Sequence, residues 1–239
     1  KKKKDPVYSG FSWLRRDIHS HLLPGIDDGS PNLETSIELL RHLSKAGIRE
    51  FVCTPHIIQD LFRNTPETIE NALKKLQAAI VREGLDVHIS AAAEYMIDEF
   101  FLDAIRSGKE LLTLNGDMVL MEFPYTIKPA NLEEISFEIS TSRYQPLLAH
   151  PERYGYFHGN KEMYHRLREL GFMFQLNLLS LTGYYGKHET ATAKYLMKEG
   201  MIDFVGTDLH HAHHLASLTD KRSVKIFEEF FGDKIYNDW

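Results

Sequence analysis

Two histidines stand two residues apart in the stretch DIHSHLLPGIDDGS, Asp17 to Ser30, and a proline, two glycines and paired aspartates follow them. In an extended strand successive side chains alternate, so Asp17, His19 and His21 are expected to share one face. Two imidazoles so placed can chelate one divalent ion. They can equally be two packed rings. Residues elsewhere in the chain separate the two readings.

Ionisable groups recur in short contexts of the same kind. They are His56 in CTPH, Glu94 in AAAEY, Glu122 in MVLMEFP, His150 and Arg153 in AHPERY, and Asp208 and His210 in TDLH. Glu94 and Glu122 follow apolar runs, where burying an unpaired carboxylate costs several kcal/mol. A bound cation removes that cost. The mixed imidazole and carboxylate set, with no thiolate, suits hard or borderline divalent metals. Asp27-Asp28-Gly29 has the composition of a turn, although a carboxylate there can reach back to ions held by the first strand.

Seven strand–helix units must position these groups. Strands are expected at Leu14–His19, Ile48–Thr54, Asp86–Ala93, Asp117–Phe123, Pro146–Ala149, Phe172–Leu178 and Asp203–Thr207. Helices are expected between them. One starts at Ser30-Pro31 with Ile37, Leu40 and Leu43 at helical spacing and ends near Gly47; another opens at Thr65-Pro66 and stops at Gly84. Further helices are expected near Asp98–Ser107, Asn131–Ser142, Lys161–Leu170 and Glu189–Lys198, with a last one over Ser217–Phe231. Strict β/α alternation argues for a parallel sheet with helices outside it. Six of the seven strands carry a histidine or carboxylate at the C-terminal edge. An open sheet would spread these groups along a line, whereas a closed barrel gathers them at one mouth, where such barrels keep their active sites.

Bulk properties narrow the function classes. The 239 residues carry a net charge of -6, which gives no general attraction to nucleic acid or anionic membrane. No apolar run is long enough to span a bilayer, and no signal-peptide pattern is visible. The one cysteine, Cys53, excludes an internal disulfide framework and fits a reducing compartment, so a cytoplasmic location is expected. Residues 1–11, with the basic cluster Lys1–Lys4, read as a solvated N-terminal tail, and residues 12–239 as a single domain. The chain opens on lysine, so a short upstream segment is expected.

Taken in order, DIHSHLLPGIDDGS, CTPH, AEY, MEFP, AHPERY and TDLH resemble the PHP (polymerase and histidinol phosphatase) superfamily. Within it the match is nearest to the bacterial metal-dependent protein-tyrosine phosphatases of the CpsB/YwqE type, over about Ser12 to Leu215. H-x-H alone is shared by many hydrolases; its combination with D-D-G and H-P-E-R is far more specific. The resemblance implies a distorted (β/α)7 TIM-like barrel holding three divalent metal ions, Mn²⁺ in the first place, with Fe or Zn as alternatives. Carried over by motif, His19, His21 and Asp208 hold the first ion, with Glu94 bridging to the second. Glu122 and His150 complete the second, and Asp28, rather than Asp27, joins His56 and His210 on the third. Arg153 matches an arginine that contacts phosphate. Related sequences carry a second arginine where this chain has Leu215, so His213 or His214 is the candidate substitute for binding substrate.

The expected reaction follows. Three divalent ions bring +6 against -4 from Asp28, Glu94, Glu122 and Asp208, which leaves a local trap of about +2 for a phosphate dianion in an acidic protein. A metal-bridging hydroxide attacks phosphorus in line, Asp208 and the other ligands hold the ions, and Arg153 stabilises the equatorial oxygens. A tyrosine leaving group, of pKa about 10, needs less protonation than a serine alkoxide. The resemblance implies that the substrate is a phosphotyrosine protein, a bacterial tyrosine kinase that regulates capsule or exopolysaccharide synthesis. A cysteine phosphatase is excluded because Gln59 stands where the C-x5-R loop starting at Cys53 needs arginine. Rival readings are another PHP phosphoesterase such as histidinol-phosphate phosphatase, an amidohydrolase, and a metal-binding protein without activity.

Overall fold

The structure is a computed structural model that describes residues 10–232 and 234–239. The tail up to residue 9, with its lysine cluster, lies outside the described residues. Phe11 already belongs to the packed body: it is fully buried against Trp13 and Phe227.

Strands and helices alternate after an irregular opening segment. They are α1 (Leu33–Ala46), β1 (Glu50–Cys53), β2 (His56–Ile57), α2 (Pro66–Arg82), β3 (His88–Ala91), β4 (Glu94–Met96), α3 (Glu99–Arg106), β5 (Met118–Glu122) and α4 (Leu132–Thr141). Then come β6 (Gln145–Ala149), α5 (Lys161–Glu169), β7 (Met173–Asn177), α6 (Lys187–Lys198), β8 (Phe204–Gly206), α7 (Ala212–Leu218) and α8 (Lys221–Phe231). Local chemistry sets the ends. Thr65 and Thr68 form a reciprocal capping box on α2, and the Asp98 carboxylate accepts from Phe101 N at the start of α3. The first helix starts two residues later than Ser30-Pro31 suggests. Asn32 is its cap, and Ser30 instead closes the preceding loop by donating its N–H to His21 O. The expected last helix is two helices, because the Asp220 carboxylate caps a new start at Lys221.

All strand pairs are parallel. β2, β4, β5, β6, β7 and β8 form one sheet in that order, and β1 pairs with β3. β1 and β2 are two pieces of one strand position, interrupted at Thr54-Pro55 where proline has no N–H to give. β3 and β4 likewise flank Ala92-Ala93. Seven strand positions result, the seventh being the opening segment.

That segment closes the barrel without forming a regular strand. Asp17 exchanges main-chain bonds with β1 (to Glu50 O at 2.9 Å and from Val52 N at 2.8 Å), and Thr54 N donates to Ser20 O. On the other side Asp208 N donates to His19 O and His21 N to Leu209 O. In a regular strand residues of equal parity bond to the same neighbour. Asp17 and His21 bond to opposite neighbours, so the chain makes a bulge-like shift between them. The expected common face of Asp17, His19 and His21 therefore does not form. The Asp17 carboxylate turns to β8 and accepts from Thr207 N (3.0 Å) and Oγ1 (2.5 Å). Burial lifts its pKa to about 6, against the lowering effect of those hydrogen bonds.

The main apolar core lies between strands and helices. A small separate group, Ile18, Met118, Leu120, Leu147 and Ala149, fills the barrel. Leu120 shares strand parity with Glu122, so this apolar plug lies directly below the carboxylates at the mouth.

Candidate metal centre

Each candidate ligand rises from a strand end or from the turn after it. Two of them have unusual backbones: among the described non-glycine residues only His150 (φ 35°), Asp208 (φ 49°) and Asn237 (φ 57°) have positive φ. Strain of this kind persists where surrounding structure enforces it, and functional sites concentrate it. Gly206 allows the close approach of strands beneath the cluster, since a Cβ there would lie 2.6 Å from His19 Cβ.

The structure brings His19, His21, Asp28, His56, Glu94, Glu122, His150, Asp208 and His210 into one continuous cluster. Four overlapping groups within it have ligand atoms less than 4.8 Å apart. These are His21, Asp28, His56 and His210; His19, His21 and Glu94; His19, His150 and Asp208; and His56, Glu94 and Glu122. The division differs in detail from the one implied by resemblance, because His21 also borders Asp28 and His56 also faces Glu94 and Glu122. Glu94 is central. Its Oε2 lies 3.2 Å from His19 Nε2, 3.5 Å from His21 Nε2 and 3.2 Å from His56 Nδ1, and its Oε1 lies 3.0 Å from His150 Nε2. Asp28 is half-exposed at the rim, 3.5 Å from the Nε2 atoms of both His56 and His210.

Partners outside the cluster determine which imidazole nitrogen faces it. Gln175 donates its amide to Leu176 O, which leaves Oε1 to accept from His19 Nδ1 at 2.7 Å. The Asp27 carboxylate accepts from His21 Nδ1 at 2.8 Å, and Asp208 O accepts from His210 Nδ1 at 2.9 Å. With Nδ1 so engaged, all three rings direct Nε2 inward, the nitrogen that a metal would take. The paired aspartates divide the work, Asp28 at the cluster and Asp27 behind His21.

Electrostatics show how much positive charge this site demands. Burial alone would lower the His19 pKa, but the Glu94 and Asp208 carboxylates lift it to about 9. His21 and His56 are also raised by facing carboxylates, against burial. Glu94 and Asp208 are held well below the usual carboxylate range by the same histidines, despite burial that acts the other way. His210 moves oppositely, down to about 3, through burial and the neighbouring His21. Glu94 Oε2 and His56 Nδ1 are buried and make no hydrogen bond among the described residues. Orphaned donor atoms of this kind, aimed at one another across ligand distances, fit divalent cations.

Arg153 reaches the cluster from the 3-10 turn Pro151–Arg153. Its Nη1 lies 2.6 Å from Asp208 Oδ2, which also accepts from Asn177 Nδ2 at 2.7 Å. Glu152, fully buried, anchors that turn by accepting from Ser180 Oγ and Asn177 N. His214 packs beside the site, with Nδ1 3.2 Å from Asp208 O. His213 is exposed, its ring 5.9 Å from that of His211, and the structure does not bring it to the cluster. His42, His158 and His165 bond to Glu38 O, Glu152 O and the Tyr195 hydroxyl, away from the site. Sequence reasoning passed over Gln175, Asn177 as a partner of Asp208, and Tyr125, whose hydroxyl is 3.1 Å from His150 Nδ1. Gln175 had left a signal, as a polar residue inside the apolar run FMFQLNLL. A surface cavity of about 570 Å³ beside Phe100, Asp103 and Lys109 on and after α3 gathers no comparable set of ligands.

The chain is 30% identical to tyrosine-protein phosphatase YwqE of Bacillus subtilis over 221 residues, which is 92% of this chain and 86% of that protein. It is 28% identical to tyrosine-protein phosphatase CpsB of Streptococcus agalactiae, covering 82% of each chain. Among solved structures it resembles one from a study of YwqE from Bacillus subtilis and CpsB from Streptococcus pneumoniae, described as metal-dependent tyrosine phosphatases. The TM-score is 0.80 and the identity 29%, with 91% of this chain and 87% of the other covered. Histidinol phosphate phosphatase from Lactococcus lactis shares the fold at a TM-score of 0.55 and 15% identity, over 92% of each chain. The family model described as capsular polysaccharide synthesis, CpsB/CapC, matches residues 15–237. With a barrel of the PHP type, and with a family match that spans nearly all of its length, the chain belongs to the CpsB/CapC family.

Proposed function

We infer that this protein is a metal-dependent phosphatase that hydrolyses phosphotyrosine on protein. One observation carries the reading: nine histidine and carboxylate side chains converge at a barrel mouth with Arg153 beside them. The tyrosine phosphatases among its relatives support the choice of substrate. Likeness to a histidinol phosphate phosphatase, at 15% identity, speaks for the fold alone.

Our reading places three divalent ions, Mn²⁺ first, on His19, His21, Asp28, His56, Glu94, Glu122, His150, Asp208 and His210. When bound, such ions supply Lewis acidity and make water acidic enough to act as a nucleophile near neutral pH. The chain's own residues do the rest. Carboxylates at Glu94, Glu122, Asp208 and Asp28 hold positive charge in place, so that an anionic ester meets a cationic mouth. Gln175 and Asp27 keep the imidazoles in the ligating tautomer. Arg153 brings a planar guanidinium fork to the cluster edge, and it suits two-point contact with phosphate oxygens. The apolar plug at Leu120 and Leu147 keeps bulk water from entering beneath. A tyrosine phenolate leaves with little help from an acid. The protein substrate we assign is a bacterial tyrosine kinase of capsule or exopolysaccharide synthesis, met in the cytoplasm.

The test strips the protein with chelator, adds back Mn²⁺, and compares a phosphotyrosine peptide with histidinol phosphate. Turnover of the peptide that depends on metal is expected, with histidinol phosphate much poorer. Equal or better turnover of histidinol phosphate would reassign the enzyme, and no phosphatase activity with metal bound would refute the reading.

A further inference from the structure

The ligand cluster is almost wholly buried, yet large aromatic rings at its mouth are not. Tyr125 and Tyr184 are 42% and 41% exposed. Tyr125 lies over His150, with ring centroids 5.6 Å apart and planes 23° from parallel. Tyr184 stands edge-on to Tyr185 at 4.9 Å and to His214 at 5.2 Å. The guanidinium carbon of Arg153 lies 4.3 Å from the centre of the Tyr185 ring and 5.3 Å from that of Tyr125. The arginine thus runs out between two tyrosine rings, with the third next in line.

Two features distinguish this arrangement from packing. First, rings that merely braced an arginine would gain most by full burial, because each Å² of apolar surface left in water forgoes stabilisation. Two of these residues, Tyr125 and Tyr184, are nonetheless partly exposed. Second, a phosphate bound by Arg153 must leave its ester substituent beside whatever flanks the guanidinium. Here aromatic rings flank it. Tyrosine offers a rigid, amphipathic contact surface at small entropic cost.

We propose that Tyr125, Tyr184 and Tyr185 form a collar that grips the aromatic ring of an aryl phosphate while Arg153 holds its phosphate. The collar thereby selects aryl over alkyl phosphate esters. This inference deepens the reading of the site as a phosphotyrosine phosphatase and rests on it. A phenyl ring meets the collar by edge-to-face or offset contact, whereas a seryl or glyceryl carbon chain offers no ring to pair.

The experiment measures binding rather than turnover. Phenylphosphonate and methylphosphonate, neither of which is hydrolysed, are titrated calorimetrically into the metal-loaded full chain. The proteins compared are wild type, Tyr125→Leu, Tyr125→Phe and Tyr184→Ala. Tyr125→Leu and Tyr184→Ala are each expected to weaken phenylphosphonate about 3- to 10-fold, the range for loss of one aromatic pair. Methylphosphonate should change little in Tyr184→Ala, and Tyr125→Phe, which keeps the ring but gives up the hydroxyl beside His150, should keep the wild-type ratio of the two affinities. Equal weakening of the two ligands would mean that the tyrosines only brace the site and would overturn the collar, as would unchanged affinity for phenylphosphonate. If Tyr125→Leu does not fold, the exposed Tyr184 still supplies the answer. Failure of the parent reading looks different: wild type would prefer phenylphosphonate, lose that preference in Tyr184→Ala, and yet hydrolyse no phosphotyrosine peptide.

Discussion

Asp27 and Asp28 are adjacent and chemically identical, but the fold gives them separate tasks. Asp28 faces the Nε2 atoms of His56 and His210, while Asp27 holds the far nitrogen of His21 and accepts from Gly29 N. Removing a group that orients a ligand typically weakens metal binding about 10- to 100-fold. Asp27→Ala should therefore raise the Mn²⁺ dissociation constant by about that factor, measured by competition with a chelator of known affinity. An unchanged constant would show that His21 needs no such support. Cys53 makes the opposite point. Burial pushes its thiol up to about 12, so almost no thiolate exists at neutral pH. Iodoacetamide should leave native protein unlabelled and fully active, and should label it once denatured. Loss of activity that tracks labelling of native protein would bring the thiol back into the chemistry.

At the scale of elements, the seam between the opening segment and β8 is held as much by side chains as by main chain. The Asp17 carboxylate takes Thr207, and the Asn237 amide spans the gap lower down. Asn237 Nδ2 donates to Arg16 O and Val205 O, both at 2.7 Å, and its Oδ1 accepts from Val205 N at 3.2 Å. With Asn237 buried, truncation strands these main-chain groups at about 1–3 kcal/mol for an unsatisfied partner. Asn237→Ala should lower stability in urea by about 2 kcal/mol with the denaturant slope unchanged. A loss below about 0.5 kcal/mol would show that water replaces the amide. This seam was the least legible part of the sequence. Seven strand–helix units could be read from periodicity, and β5, β6 and β7 fall within a residue or so of expectation. The opening segment could not. A side chain standing in for a main-chain partner leaves no periodic trace, and Asn237 meets a residue 221 positions away. The candidate ligands were legible for the converse reason: histidines and carboxylates at the ends of apolar runs are costly to bury unless a cation meets them. Gln175 and Asp27 touch no ion themselves, and nothing in their spacing announces what they orient.

For the molecule as a whole, the cluster concentrates buried carboxylates and imidazoles that are satisfied best by bound cations. An ion that binds only the folded state adds about 2.7 kcal/mol at one hundred times its dissociation constant. For a domain of this size, that corresponds to a rise in Tm of about 5–10 °C. Chelation should lower the melting temperature by that amount, and Mn²⁺ should restore it in a concentration-dependent way. Identical melting with and without chelator would mean that the cluster holds no ion tightly. Among the described residues no helix is long and apolar enough to cross a membrane.

The seam bears on motion as well as on closure. His19 and His21 stand on one side of it, Asp208 and His210 on the other, and only a few main-chain bonds join the sides. Amide hydrogen exchange should therefore be fastest along this line, in the metal-free protein, while the ladder from β5 to β7 stays protected. On the ligand assignment proposed above, an ion held from both banks would act as a rivet: the group that serves ester cleavage would also fasten the barrel shut, and a protein stripped of metal should lose rigidity where it loses activity.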